Sequence, residues 1–178
     1  VVLVSRWTTH LGGSLFDNEE GGNEGNIVRF MQPVAAEMTD GASAARTQSV
    51  SLLVQQHIKS LLDRGKKVVL IYQIPEAGWD LPVYLSKEMQ FGVRRDIDLS
   101  TSAAVNKMRN ANSNAMLDGV GVQPNLLRIK PADLFCDTLQ QGRCLLQKDG
   151  RALYIDDDHV SQLGASIIAD QLSSDLEE

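Results

Sequence analysis

Apolar residues fall along this chain in short continuous runs that alternate with longer segments of helical spacing. VVLVS (Val1 to Ser5) is a continuous β-branched run, of the kind that makes a strand buried on both faces of a parallel sheet. A polar, glycine-rich stretch follows, GGSLFDNEEGGNEGN (Gly12 to Asn26), too hydrophilic for a core and expected as a mobile surface loop over residues 12–26. From Arg46 to Asp63 the apolar positions Val50, Leu53, Val54, Ile58, Leu61 and Leu62 recur at helical spacing, which predicts a helix closed near Gly65. KKVVLIYQIP then predicts a second buried strand. PEAGWDLP (Pro75 to Pro82) predicts a loop by its Pro and Gly, and a helix is predicted from Ser100 to Ser102 through Met116. LLRIKP (Leu126 to Pro131) predicts a third strand and RALYI (Arg151 to Ile155) a short one. Ser161 to Leu172 predicts a closing amphipathic helix with Leu163, Ile167, Ile168 and Leu172 inward, and SSDLEE (residues 173–178) a fraying tail.

Alternation of strands and helices in this order predicts an α/β sandwich with a mainly parallel sheet. The length of 178 residues and 43% hydrophobic content suit one core, so residues 1–178 are expected to be one domain. The formal charge of −6 comes without a Lys/Arg stripe, which argues against a nucleic-acid partner, since such a partner needs phosphate-neutralising surface. No apolar run approaches the roughly 20 residues needed to cross a bilayer. Cys136 and Cys144 enclose a polar segment, CDTLQQGRC, that reads as a loop with a Gly turn. Two readings stand, a small structural disulfide or two reduced thiols, and the first implies an oxidising compartment. Two cysteines without an adjacent His do not make a structural zinc site, and no metal or cofactor is expected.

The densest chemistry lies in LYIDDDHVSQLGA (Leu153 to Ala165). A strand delivers three aspartates and a histidine into the turn before a helix, at the end of an open α/β sheet where ligands bind. Asp156 there can accept the Nδ1 proton of His159, fix its tautomer and stabilise the imidazolium while Nε2 deprotonates a serine. Ser161 is positioned to cap the last helix, and Gly164 lets that helix approach closely. Spacing alone leaves two other readings open, a solvated acidic turn with an incidental histidine and a divalent-cation loop.

The same string resembles the Asp-x-x-His block that ends SGNH hydrolases, in the version found in extracytoplasmic SGNH domains fused to membrane acyltransferases that O-acylate cell-surface sugars. VVLVSRW at the first strand, IPEAGWDLP after the second, DLSTSAAVNKMRN opening the next helix and a Cys pair ahead of the final block agree in order. The resemblance implies a three-layer α/β/α sandwich, SGNH- or flavodoxin-like, with Asp156 and His159 as triad acid and base. It implies O-acyl transfer, with acetyl as the expected group, from an acyl donor to a glycan acceptor. It further implies a periplasmic or extracytoplasmic location, tethered to the inner membrane by an acyltransferase domain upstream. A carbohydrate esterase of the same fold, or an inactive sugar-binding or scaffold module, are the alternatives.

Two departures from the pattern matter. The Gly-Asp-Ser block that carries the nucleophile is absent from this sequence. Residues 1–178 are therefore expected to be the C-terminal portion of the domain, lacking its N-terminal strand or strands and inactive alone. Ser14 in LGGS and Ser43 in DGAS have no preceding buried strand and do not qualify as nucleophile. Ser5, Arg6 and Trp7 also stand where the usual third block has an oxyanion-binding Asn, a substitution typical of the acyltransferase-linked group. Arg6 is a candidate cationic donor and Trp7 a candidate platform for a sugar face, against the plainer reading of an ion pair and loop packing. Glu76, Trp79 and Asp80 are candidates for a substrate lip or for loop structure. His57 is expected on a helix surface, and His10 at the cleft rim without a named acidic partner.

Overall fold

In chain order the elements are β1 (Val2–Leu3), α1 (Trp7–Gly12), α2 (Ala44–Asp63), β2 (Val68–Ile71), α3 (Leu81–Gln90), β3 (Ser100–Ser102), α4 (Ala103–Asp118), β4 (Leu126–Ile129), α5 (Pro131–Phe135), β5 (Arg143–Leu145), β6 (Gln147–Lys148), β7 (Arg151–Ala152) and α6 (Gln162–Glu177). The computed structural model describes residues 1–25, 31, 44–92 and 98–177. The fold is α/β with a parallel sheet, as predicted, and the chain divides into two units. Unit 1 comprises 1–15, 26–73 and 109–130, and unit 2 comprises 16–25, 74–108 and 131–178.

Unit 1 holds the parallel sheet, in the order β1-β2-β4. All four residues of β2 (VVLI) are buried, as a central strand covered on both faces requires. Val68, Leu70 and Tyr72 alternate onto one face and pack with Trp7, Leu11, Val50, Ile58, Met116 and Leu117. α2 closes as predicted at Gly65, whose φ of +73° lets the N–H groups of Gly65 and Lys66 reach back to the carbonyls of Leu62 and Leu61. The first strand differs from expectation. It is two residues long, and Val1, Val2 and Val4 are each more than half exposed. Among the described residues β1 is bonded to β2 alone, without the second neighbour that buries β2.

Unit 2 carries two antiparallel pairs, β3 with β5 and β6 with β7. Cys136, just after α5, and Cys144 in β5 form a disulfide with Cα atoms 3.8 Å apart. It closes a short loop whose backbone is further held by Asp137, which accepts from the Gly142 N–H. For a loop this short, chain-entropy arguments give roughly 2–3 kcal/mol of stabilisation. A Cys136→Ser/Cys144→Ser variant is therefore expected to lose about that much in denaturant unfolding, with dithiothreitol lowering the parent alone. Equal stability of parent and variant would contradict a structural role.

Three further differences have local causes. PEAGWDLP is loop only as far as Asp80: Asp80 Oδ1 accepts the Val83 N–H at 3.2 Å and Pro82 stands in the first turn, so the helix α3 starts at Leu81. The tail is helical to Glu177, where Gln171 donates to Asp175 at 2.6 Å one turn on. The polar segment after Gly12 is partly built into the fold. Phe16 and Asn18 are buried, Asn18 Oδ1 accepts the N–H groups of Glu20 and Gly22, and its Nδ2 donates to the Ala77 carbonyl at 2.9 Å. Gly22 has no room for a side chain, since a Cβ would lie 2.8 Å from the Gly78 carbonyl oxygen.

Candidate acid–base site

The site is built on a turn in unit 2. Leu153 and Tyr154 are buried, Tyr154 pairs with Val160 across the turn, and the Ile155 N–H donates to the His159 carbonyl at 2.9 Å. The chain passes at once into α6. Ser161 Oγ accepts the Gly164 N–H at 3.3 Å and donates to the Ala152 carbonyl at 2.9 Å, so one hydroxyl caps the helix and ties it to β7. Gly164 has the reason expected of it. A Cβ there would stand 2.4 Å from the Leu153 carbonyl oxygen.

Within the turn Asp156 does two things at once. Its Oδ1 accepts the N–H groups of Asp158 at 2.9 Å and His159 at 2.6 Å, which fixes the backbone. Its Oδ2 lies 2.8 Å from His159 Nδ1. Asp158 was not singled out from the sequence, yet its Oδ1 lies 3.0 Å from the same nitrogen and its side chain is 9% exposed. Nδ1 is thus faced by two carboxylates, an arrangement that favours the Nδ1–H tautomer and a stable imidazolium. The His159 side chain is 70% exposed, so the imidazole is accessible to a reacting group.

Burial raises the Asp156 carboxyl, but hydrogen bonds from the His159 and Asp158 backbone, with the His159 ring, outweigh it and hold the group below the ordinary aspartate value. A carboxyl with a depressed folded-state pKa stabilises the fold above its unfolded value, about 3.9, and that contribution is lost as pH falls through the folded value. The melting-temperature gap between the parent and Asp156→Asn is therefore expected to be widest near neutrality and to close below pH ~4. With the side chain 37% exposed the gap is modest. A gap that stays constant down to pH ~2 would contradict this.

The loop from Pro75 to Leu81 is laced to the turn. Ala77 and Gly78 donate their N–H groups to the Asp157 carbonyl at 2.8 and 3.3 Å, and the Tyr154 hydroxyl donates to the Pro75 carbonyl at 2.6 Å. Burial, and next the charge of Glu76, push the Tyr154 phenol far up, so it stays a neutral donor. Of the three lip candidates, Glu76 is fully buried and so belongs to the loop's interior, while Asp80 is the cap of α3. Trp79 is half-buried and lines a cavity of about 430 Å³ together with Tyr84, Asp98, Gln140 and Arg143.

Arg6 and Trp7 belong to unit 1. Arg6 is half-buried at the start of α1. Trp7 is 8% exposed, lies in the hydrophobic core and donates Nε1–H to the Ile71 carbonyl at 2.8 Å, so its ring is core and not an open platform. Beside it the sequence reading missed a buried polar cluster: Thr8 Oγ1 donates to Asn110 Oδ1 at 2.6 Å and lies 2.7 Å from Ser113 Oγ, and its N–H meets Gln73 Oε1 at 3.3 Å. Ser14 is exposed and accepts from Arg109 at 2.9 Å; His57 is exposed on α2 and His10 half-buried on α1. Ser43 lies outside the described residues.

Asp156, Asp158 and His159 bring three ligand-type atoms within 4.8 Å of one another. Those atoms already face each other around Nδ1, which suits proton transfer. A family model described as the SGNH domain (fused to AT3 domains) matches residues 1–174. No match was found among curated proteins or among solved structures.

Proposed function

We propose, for a chain that belongs to the family of SGNH domains fused to AT3 domains, that Asp156 and His159 serve as acid and base in O-acyl transfer to a cell-surface carbohydrate. Membership carries acyltransferase or esterase chemistry of the SGNH class. The observation that supports these two residues is the 2.8 Å contact between Asp156 Oδ2 and His159 Nδ1, on a turn whose backbone the same carboxylate fixes.

In this reading the nucleophile is a serine outside residues 1–178, as the missing Gly-Asp-Ser block suggests. His159 Nε2 takes the serine proton as Oγ adds to the donor's carbonyl carbon. Collapse of the tetrahedral adduct expels the donor's leaving group, which takes that proton. The acyl-enzyme is then attacked by a sugar hydroxyl whose proton passes to Nε2, and collapse returns the proton to serine. Asp156, seconded by Asp158, holds the ring and balances its charge in both halves. Acetyl is the proposed acyl group. The periplasm is the proposed compartment, with the Cys136–Cys144 disulfide in keeping with an oxidising milieu. Among the described residues no helix is long and apolar enough to cross a membrane. A membrane tether through an AT3 domain upstream is proposed from the family's description.

Full-length protein supplied with a labelled activated acetyl ester, with and without a neutral oligosaccharide acceptor, tests the reading. The expected result is label on the sugar hydroxyl at the expense of free acetate. Free acetate alone in both cases would favour an esterase, and unreacted ester would favour an inactive sugar-binding module.

A further inference from the structure

The cavity beside the Trp79 loop has no part in the acid–base turn, and its lining has a distinct chemistry. Its aromatic wall is Trp79 with Tyr84, ring centroids 5.2 Å apart and planes tilted by 35°. Its polar wall is Asp98, Gln140 and Arg143. Arg143 is immobilised: it pairs through both terminal nitrogens with Glu20 and donates Nε–H to Ser100 Oγ at 3.0 Å. Asp98 is immobilised too, each carboxylate oxygen accepting one backbone N–H, from Asp149 and Gly150. Each of those oxygens keeps a second lone pair. By contrast the Trp79 indole N–H and the Gln140 side-chain amide make no hydrogen bond among the described residues.

We infer that this cavity is the acceptor subsite and that it binds one ring of a neutral saccharide, with Trp79 stacking on the sugar face and Gln140 and Asp98 bonding its hydroxyls. A pyranose offers an apolar C–H face, which an indole covers, and a girdle of hydroxyls, each both donor and acceptor. A fixed carboxylate and an amide with free donor and acceptor atoms match that girdle. A volume of about 430 Å³ falls within the range of small-molecule clefts. Charge argues for a neutral ligand: among the described residues the rim sets two carboxylates, Glu20 and Asp98, against one guanidinium, so an anionic sugar meets net repulsion from them. The subsite is coupled to the acid–base turn through its own loop, because the residues flanking Trp79 are those whose N–H groups bond the Asp157 and Asp156 carbonyls. The inference rests on the proposed sugar acylation, yet binding can be measured without turnover.

The test is NMR of the indole N–H resonances of Trp7 and Trp79, assigned with Trp7→Phe and Trp79→Phe, during titration of the full-length protein with methyl glycosides of glucose, galactose, mannose, rhamnose and N-acetylglucosamine. Each is taken to about 50 mM, above the millimolar Kd of a shallow one-ring site. The expected result is a saturable shift of Trp79 with at least one glycoside while Trp7, buried in the core, stays in place. Glucuronate should bind at least several-fold more weakly. Gln140→Ala, which removes no side-chain hydrogen bond among the described residues, should weaken binding roughly tenfold. No Trp79 shift with any of the five, or affinity unchanged in Gln140→Ala, overturns the subsite. Acetyl transfer to sugar with no Trp79 shift would overturn the subsite and leave the proposed function standing, whereas a shift in a protein that transfers no acetyl would do the reverse.

Discussion

Replacing His159 with alanine is expected to lower acyl turnover by about 10³-fold or more while leaving the fold intact, a loss of about 4 kcal/mol of transition-state stabilisation. The size follows from the role proposed for the ring in both halves of the reaction, in which it is the base for the serine and for the acceptor hydroxyl. The fold is spared for reasons visible in the turn. The side chain is 70% exposed, and the hydrogen bonds that shape residues 155–160 use the backbone N–H and carbonyl of His159, which alanine keeps. Steady-state kinetics with an activated acetyl ester, alongside a thermal melt, read both halves of the expectation. A drop of less than tenfold, or a melt that shifts as much as activity does, would show that the ring is not the base.

Asp156→Asn is expected to cost about 10²-fold in kcat, and Asp158→Asn less than tenfold. Asparagine keeps an Oδ1 acceptor for the Asp158 and His159 N–H groups, so the turn persists, but it removes the charge and presents an amide in place of the acceptor oxygen at Nδ1. The full effect of losing a triad acid reaches about 10⁴-fold. A smaller figure is expected here because Asp158 Oδ1, 3.0 Å away, stays on as a second acceptor. Replacing both should therefore cost more than the product of the single effects, the signature of two groups serving one function. Equal small losses in both single variants and their combination would remove the carboxylates from the mechanism.

The parts of this fold legible in the sequence are those where a local pattern and a tertiary need coincide. β2 reads as a buried strand because VVLI has nothing polar for solvent, and α2 ends where Gly65 can take a positive φ. α3 was hidden by its own start: Pro82 reads as loop punctuation until Asp80 is seen to cap the first turn. Phe16 and Asn18 were hidden by their neighbours, since glycines and acids around them set the mean hydropathy while one phenyl ring and one amide set the packing. VVLVS reads as buried on both faces because composition reports what a strand can bury, whereas burial depends on how many neighbours it has.

The site shows the same division. Asp156 and His159 were singled out by the resemblance of LYIDDDHVSQLGA, since their spacing alone left other readings open; the structure brings the carboxylate and the imidazole into contact in a tight turn. Asp158 carried no signal separable from its twin Asp157, and only the chain path aims one at Nδ1 and leaves the other's carbonyl to hold Ala77. Trp7 reads equally as platform or core until its N–H is seen bonded to Ile71. The cavity under Trp79 gathers residues from four separate stretches, so no local spacing announces it.

The central claim is that His159, oriented by Asp156, activates a serine for acylation. Intact-mass spectrometry of the full-length protein after brief exposure to an activated acetyl ester tests it most directly, with the modified peptide then sequenced. The account predicts one acetyl group on a single serine in the parent and none in His159→Ala over the same interval. An acetyl group that appears equally in both proteins, or that sits on a lysine, would contradict it.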